Sequence, residues 1–280
     1  MTSDKKHIDL EATESSRGGI LGLFESTMRK FKVVGQLFIM APLYLFTCLI
    51  FGVALSPGVA LFKWSQNAVT DLSPWAQNLS LGVSLAAGYF CYGFTLIFTT
   101  AAINKLLRTH LTTWRGPYYS LESLKWFVHN GLTYLVRFTF LEFVTPSPLS
   151  LLFYQMMGMK IGRGTIINST WISDPSMIEM GNKVTIGGSV TMVAHYGQGG
   201  LLVIAPIKIG NNCTIGLKSS LMGGVVIGDN VKLLPHSVVL PKTVIPNGET
   251  WGGVPAQKID LKKISEAPTD ESTKPTIKVA

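Results

Sequence analysis

The sequence predicts a parallel β-helix of hexapeptide coils, preceded by an α-helical membrane region with two transmembrane helices. Three observations carry this. From Ile209 an aliphatic residue returns every sixth position, at Ile215, Leu221, Ile227, Leu233, Val239 and Ile245, and Trp251 closes the series. Two runs, residues 33–62 and 72–104, contain no charged residue. Lys and Arg gather on the outer flanks of those runs, with Lys63 alone between them.

A period of six matches neither the 3.6 of a helix nor the 2 of a strand. It arises when short strands joined by corners wind into a solenoid, so that each aliphatic stacks on its equivalent one coil earlier. The position four after each aliphatic is small or β-branched: Cys213, Ser219, Val225, Val231, Ser237 and Thr243.

In chain order, residues 1–19 are polar and of mixed charge, which predicts a disordered arm. "ILGLFESTMRKFKVV", from Ile20, reads as an amphipathic segment on a membrane surface. Each uncharged run exceeds the roughly 20 residues that cross a bilayer. Trp64 and Trp75 lie near their facing ends, as an aromatic belt requires. Basic residues before the first run (Lys5, Lys6, Arg17, Arg29, Lys30, Lys32) and after the second (Lys105, Arg108, Arg115, Lys125) place both termini in the cytoplasm. The expected location is therefore the inner, cytoplasmic membrane, multi-pass, with the β-helix inside the cell.

Residues 120–144 are mostly apolar but carry Glu122, Lys125, His129, Arg137 and Glu142. Burying five ionisable groups in hydrocarbon is costly, which favours an interfacial helix over a third span, with His129 as an interfacial side chain. Pro146 and Pro148 break it, and a short apolar helix then runs to Gly158. The membrane region is thus residues 20–155 and the β-helix 156–260, with a flexible tail at 261–280. Within the coils the period starts at Ile161 and Ile167, takes a five-residue step to a register of Ile178, Val184 and Val190, and lapses over "HYGQGGLLVIAPIK". A loop leaving a regular frame is where function is expected.

The chain has 280 residues, a formal net charge of +8 and 14% charged residues, with a mean hydropathy of +0.33. The excess charge lies beside the spans, where anionic lipid would attract it. No basic face with interleaved aromatics sits on a nucleic-acid module, so nucleic acid is not an expected partner. Cys48, Cys91 and Cys213 form neither a disulfide framework nor a zinc spacing, and no metal is expected.

Two histidines lie in the coils. His195 stands where the repeat breaks and a loop with Gly197, Gly199 and Gly200 begins; His236 sits mid-hexad and reads as a corner residue. An imidazole can take a proton from a hydroxyl, amine or thiol near neutral pH and later return it. There is no G-x-S-x-G elbow, no P-loop and no G-x-G-x-x-G after a strand.

The chain from about Ile161 to Ile259 resembles the left-handed β-helix (hexapeptide-repeat) acyltransferases. The resemblance rests on the repeat, on "VTMVAHYG" before a loop, on "PIKIGNNCTIG" after it, and on "VIPNGETWGGVPAQKI". It implies that His195 is the general base, that Asn168 helps to place the acceptor, and that the coils form a homotrimer. Acyl-coenzyme A would lie near Gly216, Ser219, Gly223 and Gly224, with Lys242 and Lys258 available to its phosphates. Paired spans followed by "SPLSLLFYQMMGMKIGRGT" and "TWGGVPA" are further similar to the membrane-bound C-terminal region of polylysine-type non-ribosomal peptide synthetases. That likeness makes a carrier-protein thioester an alternative donor, and a carrier protein and membrane lipid expected partners. The expected function is membrane-anchored acyl or aminoacyl transfer from a thioester to a hydroxyl or amine. The alternatives are a non-catalytic trimeric scaffold and a γ-type carbonic anhydrase, which needs three histidines per zinc.

Overall fold

The computed structural model describes residues 13–260. The expectations for the extreme arm and for the tail at 261–280 lie outside the described residues.

Five helices come first: α1 Gly19–Lys30, α2 Lys32–Ala68, α3 Pro74–Leu106, α4 Leu121–Val136 and α5 Pro148–Met156. α2 and α3 form an antiparallel hairpin. Within them, Met40–Ala68 and Pro74–Leu106 are long and apolar enough to cross a membrane by length and composition. Their outward faces expose Leu45, Leu49, Trp64, Trp75 and Val83. The two helices meet at glycine: a Cβ on Gly58 would stand 2.8 Å from the Gly88 carbonyl oxygen. Small residues permit such an approach where apolar solvent gives helices no reason to associate.

α4 begins at a Ser120 cap, whose hydroxyl accepts from the Ser123 N–H, and ends in a π-helical turn, Arg137–Leu141. His129 is not an interfacial side chain on this helix. His129 is fully buried, its Nδ1 on Asn104 Oδ1 of α3 (2.9 Å) and its Nε2 on Ser176 Oγ of the coils (3.2 Å). His129 thus joins α3 to the β-helix, Glu142 accepts from Thr170 of the coils, and Glu122 pairs with Arg17. α5 starts with Ser147 and Ser150 in a capping box and Pro148 in its first turn. It lays Phe153, Tyr154 and Met157, all buried, at the start of the coils, and the Tyr154 hydroxyl donates to Ser169 O (3.4 Å).

The coils form a three-faced prism of parallel strands. The first face stacks Lys160–Ile161, Ile178–Met180, Ile207–Ile209, Val226–Ile227 and Val244–Ile245; the second stacks Ile166–Ile167, Thr185–Ile186, Thr214–Ile215, Lys232–Leu233 and Thr250–Gly252. The third stacks Ile172–Ser173, Thr191–Val193, Ser220–Met222 and Val238–Val239. The six-residue positions pair as expected, Ile209 with Ile227, Ile227 with Ile245, Ile215 with Leu233, and Leu233 with Trp251. Gln257–Lys258 closes the last coil by pairing antiparallel with Thr250–Gly252.

At the corner between the first two faces a polar ladder replaces strand bonds. Asn182, Asn211, Asp229 and Asn247 each accept the backbone N–H of the residue one coil before: Arg163, Asn182, Asn211 and Asp229. A Cβ on Gly228 would stand 2.1 Å from Asn247 Oδ1, so glycine is required there. "GNN" and "GDN" thus build corners.

The early register differs from the expectation. The five-residue step exists, from Ile167 to Ile172, but the next corner takes in extra residues. Asp174 adopts a left-handed backbone (φ 57°) and Pro175–Met177 forms a 3₁₀ turn. The coil positions then resume at Met180, Ile186 and Met192, which pair with Ile209, Ile215 and Leu221. Ile178, Val184 and Val190 are buried two residues before each.

Candidate active site

The interruption after Ala194 is an ordered hairpin. His195–Gln198 pairs with Leu201–Ile204 through Gly199 and Gly200, both at positive φ, and Trp114–Pro117 adds a third antiparallel strand that the sequence pattern did not signal. Leu201–Ile204 is buried along its length. This clamps His195 at its base: His195 pairs with Ile204, and Ala205 N–H donates to Ala194 O (2.9 Å).

His195 Nδ1 lies 2.5 Å from Asp174 Oδ2. Asp174 is wholly buried, whereas the His195 side chain remains 21% exposed. The carboxylate's other oxygen, Oδ1, accepts from Trp126 Nε1 (2.8 Å) and Asn130 Nδ2 (2.7 Å). The Asn130 orientation is fixed, because its Oδ1 accepts the Asp174 N–H (2.9 Å). An indole N–H and an amide NH₂ can only donate, so Asp174 is an acceptor on this side. The imidazole then places its proton on Nδ1 and keeps the Nε2 lone pair for a substrate. Trp126 also packs edge-on to the His195 ring, centroids 4.8 Å apart. A buried carboxylate is tolerated when its lone pairs are filled in this way.

Asp174, Trp126 and Asn130 were not singled out from the sequence. The register slip at "SDPSM" was the available signal, since an irregular corner is what turns Asp174 inward. Trp126 and Asn130 stand four apart, on one face of α4.

The other sequence candidates divide between two corners. Gly223, Gly224 and Lys242 share the His195 corner, between the third and first faces. A Cβ on Gly223 would meet Ala194 O at 3.1 Å and His195 N at 3.2 Å, and Lys242 N–H donates to Gly223 O (3.2 Å). Asn168, Gly216, Ser219 and His236 lie instead toward the corner between the second and third faces. Asn168 is exposed beside Gly188, and the hydrogen bonds of His195 do not include it. The Ser219 hydroxyl is buried, donating to Leu234 O (3.0 Å) and accepting from Ser237 N–H (3.3 Å), which is a role in the stack. His236 has φ 59°, as Lys218 (φ 55°) does one coil earlier, and is exposed. Lys258 pairs with Glu249 (2.6 Å) on the closing strand, away from His195. Among the described residues no group of three His, Cys, Asp or Glu side chains is placed to hold a metal ion.

A parallel prism of six-residue turns, interrupted by a hairpin that begins at His195, contains a segment similar to hexapeptide-repeat transferases. Residues 203–241 match the family of bacterial transferase hexapeptide (six repeats). The chain is 26% identical over 211 residues to the delta-poly-L-ornithine synthetase of Acinetobacter baumannii (strain AB307-0294), covering 74% of this chain and 15% of the relative. It is 33% identical over 113 residues to a 2,3,4,5-tetrahydropyridine-2,6-dicarboxylate N-succinyltransferase of Polynucleobacter asymbioticus, covering 38% of each. Over 102 residues it is 30% identical to gamma carbonic anhydrase 2, mitochondrial, of Arabidopsis thaliana, covering 35% of this chain and 34% of the relative. The chain therefore spans well under half the length of each of these relatives.

Proposed function

We propose that the protein is a membrane-anchored acyltransferase in which His195, oriented by Asp174, is the general base. The observation that carries this reading is the 2.5 Å contact between a partly exposed imidazole and a wholly buried carboxylate at the interruption of the prism. Nε2 takes the proton of an acceptor hydroxyl or amine as the acceptor oxygen or nitrogen attacks the thioester carbonyl. The resulting imidazolium, held by Asp174, returns the proton to the departing thiolate sulfur. The donor is a thioester of coenzyme A or of a carrier protein, and Gly223, Gly224 and Lys242 flank its approach on the same corner. Asn168, Gly216, Ser219 and Lys258 could serve a donor or acceptor only from a neighbouring corner or subunit, which fits a homotrimer with sites between copies.

Membrane anchorage rests on the α2–α3 hairpin and its exposed apolar faces, with both termini and the prism in the cytoplasm. The polyornithine synthetase relative, aligned over most of this chain, supports an amine or aminoacyl acceptor as readily as a hydroxyl one. The test uses the full chain in vesicles with acetyl-coenzyme A and a membrane-lipid extract. Free thiol released only when extract is present, together with label found in the extract, supports acyl transfer. Thiol release that is absent with both acetyl-coenzyme A and a carrier-bound thioester overturns it.

A further inference from the structure

α4 has two working faces. One carries Trp126 and Asn130 to Asp174; the other, with Phe127, Gly131 and Leu135, lines an apolar cavity of about 410 Å³ against α2 residues such as Leu43 and Phe51. That volume is in the range of about 300–1,000 Å³ typical of small-molecule sites. Tyr134 belongs to both faces: it lines the cavity, and its hydroxyl is 2.7 Å from Ser173 Oγ, one residue before Asp174.

Arg137, in the π-helical turn that follows α4, does not line the cavity itself but packs against two residues that do, Tyr134 and Phe138. Its guanidinium carbon lies 4.0 Å from the Trp171 ring centre, 4.9 Å from Phe138 and 5.7 Å from Tyr134, and the last two rings line the cavity. The residue is only 8% exposed, and its Nη2 is buried without a hydrogen-bond partner. Among the described residues it makes no ion pair. The nearby Glu142 accepts instead from the Thr170 hydroxyl. A guanidinium presents a planar fork suited to phosphate, and a buried cation without a counter-ion is costly to maintain. π-helical turns inside helices occur frequently at functional sites.

We infer that the α2–α4 cavity holds the hydrocarbon of a membrane lipid whose phosphate is bound by Arg137, so that the acceptor is an anionic lipid. This rests on the acyl-transfer reading for the word acceptor, but not for the binding itself. Trp171 and Asp174 are three residues apart on a nearly extended stretch, about 10 Å. The reacting group would therefore stand about that far from the phosphate, the length of one small head group.

The test is native mass spectrometry of the full chain in detergent, titrated with dioleoyl phosphatidic acid, with dioleoylglycerol and with inorganic phosphate. The expected result is one phosphatidic acid per chain, bound about tenfold tighter than dioleoylglycerol, the scale of a lost charge-assisted contact. Arg137→Gln should abolish that preference. Gly131→Leu should weaken both lipids, because a Cβ there meets nothing within 4 Å and the new side chain can fill the cavity without disturbing the helix. His195→Ala should keep the lipid preference whatever becomes of turnover, which separates failure of this site from failure of the catalytic assignment. Equal binding of the two lipids to the unaltered chain overturns the inference, and does so even where Arg137→Gln fails to fold. Binding of inorganic phosphate as tight as that of the lipid, unaffected by Gly131→Leu, also overturns it, since the cavity would then contribute nothing.

Discussion

At the residue scale, the candidate site depends on which nitrogen of His195 holds the proton. Asp174 decides this by accepting at Nδ1, and Trp126 and Asn130 hold Asp174 in the accepting state. In Asp174→Asn the amide oxygen and NH₂ compete for the same partners, and the fixed tautomer is lost. Turnover should fall by roughly 10²–10⁴, the usual contribution of a general base, measured as thiol release from acetyl-coenzyme A. Parent-like turnover would show that Asp174 only packs. His195 was legible because it stands where the six-residue rhythm fails. Asp174 was not, because its role comes from a corner that takes in extra residues, and a repeat template treats such a slip as noise rather than as geometry. Asn168 and His195, close in a repeat template, are set apart by the prism onto different corners.

At the element scale, α4 couples the apolar hairpin to the prism. Asn130→Ala would leave the Asp174 N–H without a partner and should destabilise the fold by about 1–3 kcal/mol, seen as a lower melting temperature in detergent. His129, on the same helix, gives a pH signature. Burial lowers its pKa from 6.5 to about 4, opposed by the Asp174 charge and reinforced by His110 and Lys125. The unfolded chain then binds a proton that the folded chain refuses across that interval. The contribution is fully present above about pH 6.5 and is lost as the pH falls toward 4, amounting to about 3 kcal/mol. Melting temperature should fall over this window, and His129→Gln should flatten the fall. An unchanged slope would place the titrating group elsewhere. The helix itself was legible from its apolar content, but its docking was not. Ionisable residues on an apolar helix suggest a water interface, but two of them, His129 and Glu142, instead hydrogen-bond to the coils. The strand Trp114–Pro117 was also hidden, since four residues with Gly116 and Pro117 carry no alternation.

At the scale of the whole molecule, the prism was the most legible part, because a period of six has no competing explanation in helices or ordinary sheets. Each hexad buries one aliphatic that stacks on its equivalents in neighbouring coils, as Ile227 does between Ile209 and Ile245, so Ile227→Asp should abolish folding by placing an unpaired carboxylate among aliphatic neighbours. Ile227→Asp protein with the mass and melting temperature of the parent would contradict that stacking. The hairpin of α2 and α3 likewise follows from two uncharged runs. Its orientation can be read by thiol labelling on a background lacking Cys48, Cys91 and Cys213. Single cysteines between residues 63 and 78 should react from outside intact cells, and those near residues 10 and 270 should not. Reaction near either end would reverse the placement of the prism.

These scales meet at the interruption of the prism, where the candidate site lies. The most direct measurement compares His195→Ala with His236→Ala in the full chain, reading thioester turnover, melting temperature and oligomeric mass on the same preparations. Neither residue belongs to the buried aliphatic stack, so oligomeric mass should stay at the parent value in each; melting temperature should hold in His236→Ala and fall in His195→Ala, which strips the buried Asp174 carboxylate of a partner. Turnover should fall by roughly 10²–10⁴ in His195→Ala and change little in His236→Ala. Full turnover in His195→Ala, with or without loss in His236→Ala, would contradict the assignment of the base to His195.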